Sequence, residues 1–121
     1  MLDTFGRDNK VDAEGNPAGG FILGEGIKIV WQDGPLNPGC DLGYGIEACK
    51  RSHNGVPNGA FVETVVAACI QRMEFYQLVN GGKFACRENT MTLLCLREAL
   101  SWLERRAFDR KLRGVEGTHT P

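Results

Sequence analysis

At 121 residues the chain fits one domain and leaves no room for a catalytic domain with a separate regulatory one. A formal net charge of −1 excludes a wholesale polyanion binder, but not a protein that holds a small anion with two or three placed cations. No apolar run is long enough for a membrane span and the opening MLDTFGRDNK has no signal-peptide core, so a cytoplasmic protein with no membrane partner is expected.

Residues 1–20 are polar and glycine-rich without a clear period, which predicts a flexible arm or edge-strand material. Residues 21–35 predict a β-hairpin. Ile27, Ile29 and Trp31 alternate with Lys28 and Val30, Phe21 to Leu23 can pair with them across Gly24-Glu25-Gly26, and Asp33-Gly34-Pro35 stops the strand. Trp31, on the apolar face, is expected in the core. Residues 36–59 are dense in Gly, Pro and Asn and predict a loop excursion.

A helix is expected over 60–79, capped by Asn58 or Gly59, with Val62, Val66, Cys69, Met73 and Tyr76 as a heptad-like seam. Asn80-Gly81-Gly82 ends it. A second helix is expected over 86–112, with Leu93, Leu96, Leu100, Leu103 and Ala107 as its seam, Trp102 and Phe108 widening the apolar face, and Gly114 as cap. Residues 113–121 form a tail. The fold class is therefore α+β, a small N-terminal antiparallel β-sheet followed by a C-terminal antiparallel helical hairpin, within a single domain 1–121. The second helix, about 25 residues and about 38 Å long at 1.5 Å per residue, outreaches the first. Part of its apolar face then needs the sheet or another subunit.

Between Arg97 and Arg113 six cations stand against three acids. Arg106 and Arg110, four apart, share a helix face and could grip two phosphates or one phosphate bidentately; the plainer reading is that they complement the helix dipole. The tail brings Thr118 and His119, hydroxyl and imidazole beside glycines, although a frayed terminus would look the same. Phe75 and Tyr76, near the end of the first helix, lie at the level of Asn89, and an aromatic face beside an amide suits an adenine ring. Tyr76, being in the seam, has core packing as its competing role. The aromatic and arginine ends are about 20–30 Å apart by helical rise. One chain cannot close both around a small ligand, whereas two antiparallel chains can, so a shared site would lie between subunits.

Catalysis is not expected. The two histidines, His53 and His119, fall in loops, and no GxSxG, HExxH, P-loop or GxGxxG pattern occurs. Cys86, beside Arg87 at a helix start, could have an activated thiol but no base accompanies it. Cys69 and Cys95 read as small core residues. Five irregularly spaced cysteines fit reduced thiols, and Cys40, Cys49 and His53 lack the fourth ligand of a zinc site, so neither metal nor cofactor is expected.

The order GIKIVWQDGPL, NGAFVETVVAACIQRMEFYQ, KFACREN and REALSWLERRAFDRKLRGVEGTHTP resembles the phage-encoded Thoeris anti-defence protein one family, which shares its helical hairpin with anti-CBASS protein two. The resemblance covers most of the chain outside the glycine-rich arm and the 36–57 stretch. It implies a sponge that binds cyclic ADP-ribose isomers made by TIR-domain defence enzymes without cleaving them, in the cytoplasm of an infected bacterium. Some members bind cyclic di- or trinucleotides at a second site, and homodimers assemble into hexamers. By resemblance, Phe75 or Tyr76 would stack the base, Asn89 would make a polar contact, and Arg106 and Arg110 would take the pyrophosphate with Thr118 and His119 nearby. Ala107 replaces an expected threonine, and LVNGG and CDLGYGIEACKRSH look like added length. The alternative is a non-catalytic phage structural or assembly factor that oligomerises through its hairpin. A nucleic-acid polymer is not an expected partner, because charge balance and the missing aromatic–basic stripe oppose it.

Overall fold

The computed structural model of the protein describes residues 4–34, 57–115 and 118–121. The fold is α+β: β1 (Gly6–Val11), β2 (Pro17–Gly24), β3 (Ile27–Val30), α1 (Val62–Gly82) and α2 (Arg87–Leu112). Two compact units emerge, Met1–Phe61 with Arg113–Pro121, and Val62–Leu112.

The first unit carries a three-stranded antiparallel sheet in the order β1-β2-β3. Residues of the N-terminal stretch, polar as they are, supply the edge strand β1 and the first half of β2. Their pairing is set by the turn between them. Asp12 Oδ1 accepts from the Glu14 and Asn16 amides at 2.9 Å each, and the Asp12 amide donates to the Asn16 carbonyl at 2.9 Å. An aspartate that caps its own turn in this way fixes the register of the strands it joins. Gly20 holds φ +126°, and a Cβ there would overlap the Asp8 carbonyl oxygen, so the close approach of β1 to β2 depends on glycine. Between β2 and β3, Gly24 faces Ile27 across the two-residue turn Glu25-Gly26, with Gly26 at φ +81°.

Trp31, half-buried, extends β3 and bridges Ala60 in parallel. The Ala60 amide donates to the Val30 carbonyl at 2.6 Å and the Gln32 amide to the Ala60 carbonyl at 3.0 Å. Asn58, one of two expected caps for the first helix, instead clasps the end of the strand. Its Oδ1 accepts from the Asp33 amide at 2.8 Å, and its amide nitrogens donate to the Asp33 carbonyl at 3.1 Å and to Gln32 Oε1 at 2.9 Å. The loop expected over 36–59 falls mostly outside the described residues; its last part, residues 57–59, has no regular secondary structure and is tied to the end of the strand through Asn58.

In the second unit, contacts between Gln77 and Thr90 and between Glu74 and Arg97 run in opposite chain directions, as in an antiparallel hairpin. Its buried centre is Ile70 and Leu93. On α2 the seam Leu93, Leu96, Leu100 and Leu103 faces inward to varying degrees, while Ala107 is exposed. On α1 the inward set is Val66, Ile70, Met73 and Gln77, which corrects the expected seam: Val62, Cys69 and Tyr76 are exposed. The spacing is the same 4-3-4, but the stripe is rotated by one residue through Ile70. Tyr76, one position off that stripe, is exposed and meets Arg72, described below.

Regular α1 geometry ends at Val79 (ψ 143°), and Asn80 and Gly81 adopt left-handed φ values of 54° and 65°. Gly82, at φ 85°, continues the turn. Asn and Gly are the residues that tolerate this region. The chain re-enters helix with Cys86 as cap, its Sγ accepting from the Asn89 amide at 3.4 Å. Among the described residues no helix is long and apolar enough to cross a membrane.

Candidate functional site

The turn end of the hairpin holds the most organised set of exposed side chains. Arg72, Phe75 and Tyr76 are spaced i, i+3, i+4 and so share one helix face. The Phe75 and Tyr76 ring centroids are 6.0 Å apart with planes tilted by 55°. The Arg72 guanidinium carbon lies 4.8 Å from the first centroid and 4.9 Å from the second, so both rings share the cation. Phe75 and Tyr76 are nonetheless 41% and 39% exposed as residues, so the pair is open to solvent. No carboxylate among the described residues pairs with Arg72. Sequence reasoning passed over Arg72, although its spacing to the two aromatics was a usable signal.

Asn89, in the first turn of α2, is half-buried. Its Nδ2 donates to the Phe84 carbonyl at 3.2 Å, so part of its amide already closes the loop. Gln77 anchors the same turn: its Nε2 donates to Thr90 Oγ1 at 2.9 Å and its Oε1 accepts from the Cys86 amide at 3.1 Å. Beside this network the two helices enclose a largely apolar groove of about 310 Å³ between Gln77, Leu78, Thr90, Leu93 and Leu94. The Glu74–Arg97 ion pair, at 3.5 Å, also lines it. A cavity of this size is at the small end of ligand pockets.

Arg106 and Arg110 lie toward the other end of α2. Arg106 is exposed; Arg110 is half-buried and already engaged in an interaction of its own. Between them and the loop, the Arg105 guanidinium covers the Trp102 ring at 4.7 Å, a second cation–aromatic contact that sequence reasoning did not identify. Asn89 and Arg106 are seventeen residues apart on one continuous helix, about 25 Å by rise. A single hairpin brings Arg72, Phe75 and Tyr76 together; it does not bring Arg106 or Arg110 to them.

Thr118 and His119 belong to the first unit. The Thr118 amide and hydroxyl both donate to the Val115 carbonyl, at 3.1 and 2.6 Å, and the Thr120 amide donates to Thr118 Oγ1 at 3.2 Å. Arg113 Nη1 reaches the Pro121 carbonyl at 2.8 Å. These described tail residues are folded onto themselves by hydrogen bonds. The Asp12 carboxyl is held below the usual carboxylate range, first by the Asn16 amide, then by the Glu14 amide and the positive charge of His119.

Cys69, Cys86 and Cys95 are free and exposed, which corrects the core placement expected for Cys69 and Cys95. Both sit one residue away from a buried apolar position or its turn neighbour, and the larger Ile70 and Leu93 take the inward places. Cys40, Cys49 and His53 lie outside the described residues. Among the described residues no three His, Cys, Asp or Glu side chains are grouped to share a metal ion.

No family model matches the chain. It is similar to a protein named Thoeris anti-defense 1, from Bacillus phage SBSphiJ7, with 45% identity over 62 residues. That stretch is 51% of this chain and 42% of the relative, so the chain spans less than half the length of the curated relative it matches.

Proposed function

We propose that this chain, a member of the Thoeris anti-defense 1 family, is a phage anti-defence protein that binds a cyclic ADP-ribose-type nucleotide and holds it without cleaving it. The observation that carries the reading is the relationship itself, 45% identity to a phage protein named for blocking the Thoeris system. The exposed Phe75–Tyr76 pair supports it, because a purine needs an open aromatic face to stack on. Asn89, in the first turn of α2, is the amide offered for a polar contact, and Arg106 and Arg110 are the cations offered for a pyrophosphate.

Since the two ends of one hairpin are too far apart, the complete site is proposed to form between chains. Antiparallel twofold pairing sets the aromatic end of one subunit beside the arginine end of the other. The exposed Trp102, Phe108 and Leu112 on α2 are apolar surface that such a contact would cover. The same surface favours the second reading, a phage assembly factor whose hairpin only self-associates. Sequestration works by mass action: nanomolar binding, about −12 kcal/mol, suits a signal present at low concentration.

Calorimetric titration of the purified protein with cyclic ADP-ribose isomers and cyclic oligonucleotides separates the readings. Tight binding, with intact ligand recovered after heat denaturation, is the expected result. Self-association with no retained nucleotide favours the assembly factor, and a new product peak means an enzyme. Arg106→Ala should weaken binding by roughly 30- to several thousand-fold, the effect of truncating a desolvated guanidinium–phosphate contact. Co-expressed Arg106→Ala and Phe75→Ala chains should regain part of the capacity through mixed dimers. Mixed dimers that form and bind nothing would sink the intersubunit site.

A further inference from the structure

We propose that Arg72 is a ligand-contacting specificity residue, and that Arg72, Phe75 and Tyr76 together form a recognition platform for a nucleobase bearing a phosphate. The inference rests on the nucleotide-binding reading above and assigns to one hairpin end a cation that the reading had placed only on the opposite end.

Three observations lead to it. The guanidinium is nearly equidistant from both rings, 4.8 and 4.9 Å, so it is held in a defined place before any ligand arrives. A planar guanidinium fixed this way loses less rotamer freedom on meeting an anion than a free surface arginine does. Secondly, no carboxylate among the described residues neutralises it, whereas Arg97 on the facing helix is paired with Glu74 at 3.5 Å. A contact with two π-faces leaves the positive charge of the guanidinium unneutralised, so the cation remains available to a phosphate oxygen. Thirdly, Phe75 and Tyr76 remain exposed residues despite the cation. A base stacked on them places its sugar phosphate within reach of the same arginine. Base and phosphate are therefore read by adjacent side chains on one helix face, and only a ligand carrying both uses the whole platform.

The arginine could instead be a solvated side chain resting on aromatic surface. The two roles differ in what each removes when the charge is lost. Arg72→Met keeps the aliphatic packing and removes the cation; Arg72→Lys keeps the charge and loses the plane. Binding of cyclic ADP-ribose and of adenosine is measured by calorimetry for the full-length wild type and both variants, at two salt concentrations, with circular dichroism confirming the fold. For cyclic ADP-ribose, Arg72→Met should bind at least 10-fold more weakly and with a shallower salt dependence. Arg72→Lys should recover the salt dependence but only part of the affinity. Adenosine, which has no phosphate, should change less than two-fold. Unchanged cyclic ADP-ribose binding in Arg72→Met overturns the proposal, as does an equal proportional loss for adenosine, since that marks Arg72 as a prop for the rings. Either result leaves the nucleotide-binding reading standing. A wild type that binds no cyclic nucleotide removes both.

Discussion

The two units of this protein are held together by different means. In the sheet unit the decisive contacts belong to the backbone: the capped Asp12 turn, Gly20 against the Asp8 carbonyl, and the Ala60 bridge to β3 secured by Asn58. Its apolar side chains contribute less, with Phe21, Leu23, Ile27 and Val30 all more than a third exposed. In the hairpin unit side chains decide. Ile70 and Leu93 form the centre, Gln77 pins the second helix to the first, and aromatic and cationic groups cover the outside. Short polar strands can thus pair when turn chemistry fixes their register, whereas two helices need an apolar seam because each already satisfies its own backbone.

That contrast can be broken first at Gly20. Gly20→Ala combines a positive φ with a clash against a backbone oxygen that no rotamer relieves. It should cost the sheet unit about 3–5 kcal/mol, read as loss of amide-exchange protection across β1 and β2. Next comes Leu93→Ala. A cavity at the hairpin centre should cost about 2–4 kcal/mol, seen as a lower thermal midpoint by far-UV circular dichroism and faster exchange along α1 and α2. If either substitution lowers protection equally in both units, the two are one cooperative structure and the contrast fails.

The smallest effect belongs to Asp12. Because its folded-state pKa is lowered, its contribution is fully present above the usual carboxylate value and is lost as pH falls through the folded pKa. Following the Glu14 and Asn16 amides by NMR through the acid range should show the turn loosening there. Asp12→Asn should remove the transition, and persistence of the transition in that variant would assign it to another carboxylate. A His119→Ala variant should move the midpoint upward slightly, because a positive neighbour is lost.

Arg72 marks how far a candidate site can be read from residue order. Phe75, Tyr76, Asn89 and the arginines stood out by chemical type, and the i, i+3, i+4 spacing of Arg72 to the aromatics was visible too. What residue order could not state is whether Tyr76 turns inward with the seam or outward onto Arg72. Cys69 and Ile70 are neighbours about 100° apart around the helix, and either could head the inward stripe. The tail shows the same limit: residue order does not show that the Thr118 hydroxyl donates to the Val115 carbonyl.

The sequence by itself determined the α+β class, the break at Asn80-Gly81-Gly82, the leucine seam of α2 and the β2–β3 turn. Each of these follows from local periodicity or from a residue's own backbone preference. Only the tertiary structure decided that GRDNKV is a strand, that Ile70 rather than Cys69 is buried, and that Asn58 clasps Asp33 instead of capping a helix. All three depend on a partner distant in the chain. A polar segment becomes strand, or an apolar one turns inward, when the segment facing it satisfies its hydrogen bonds or covers its surface.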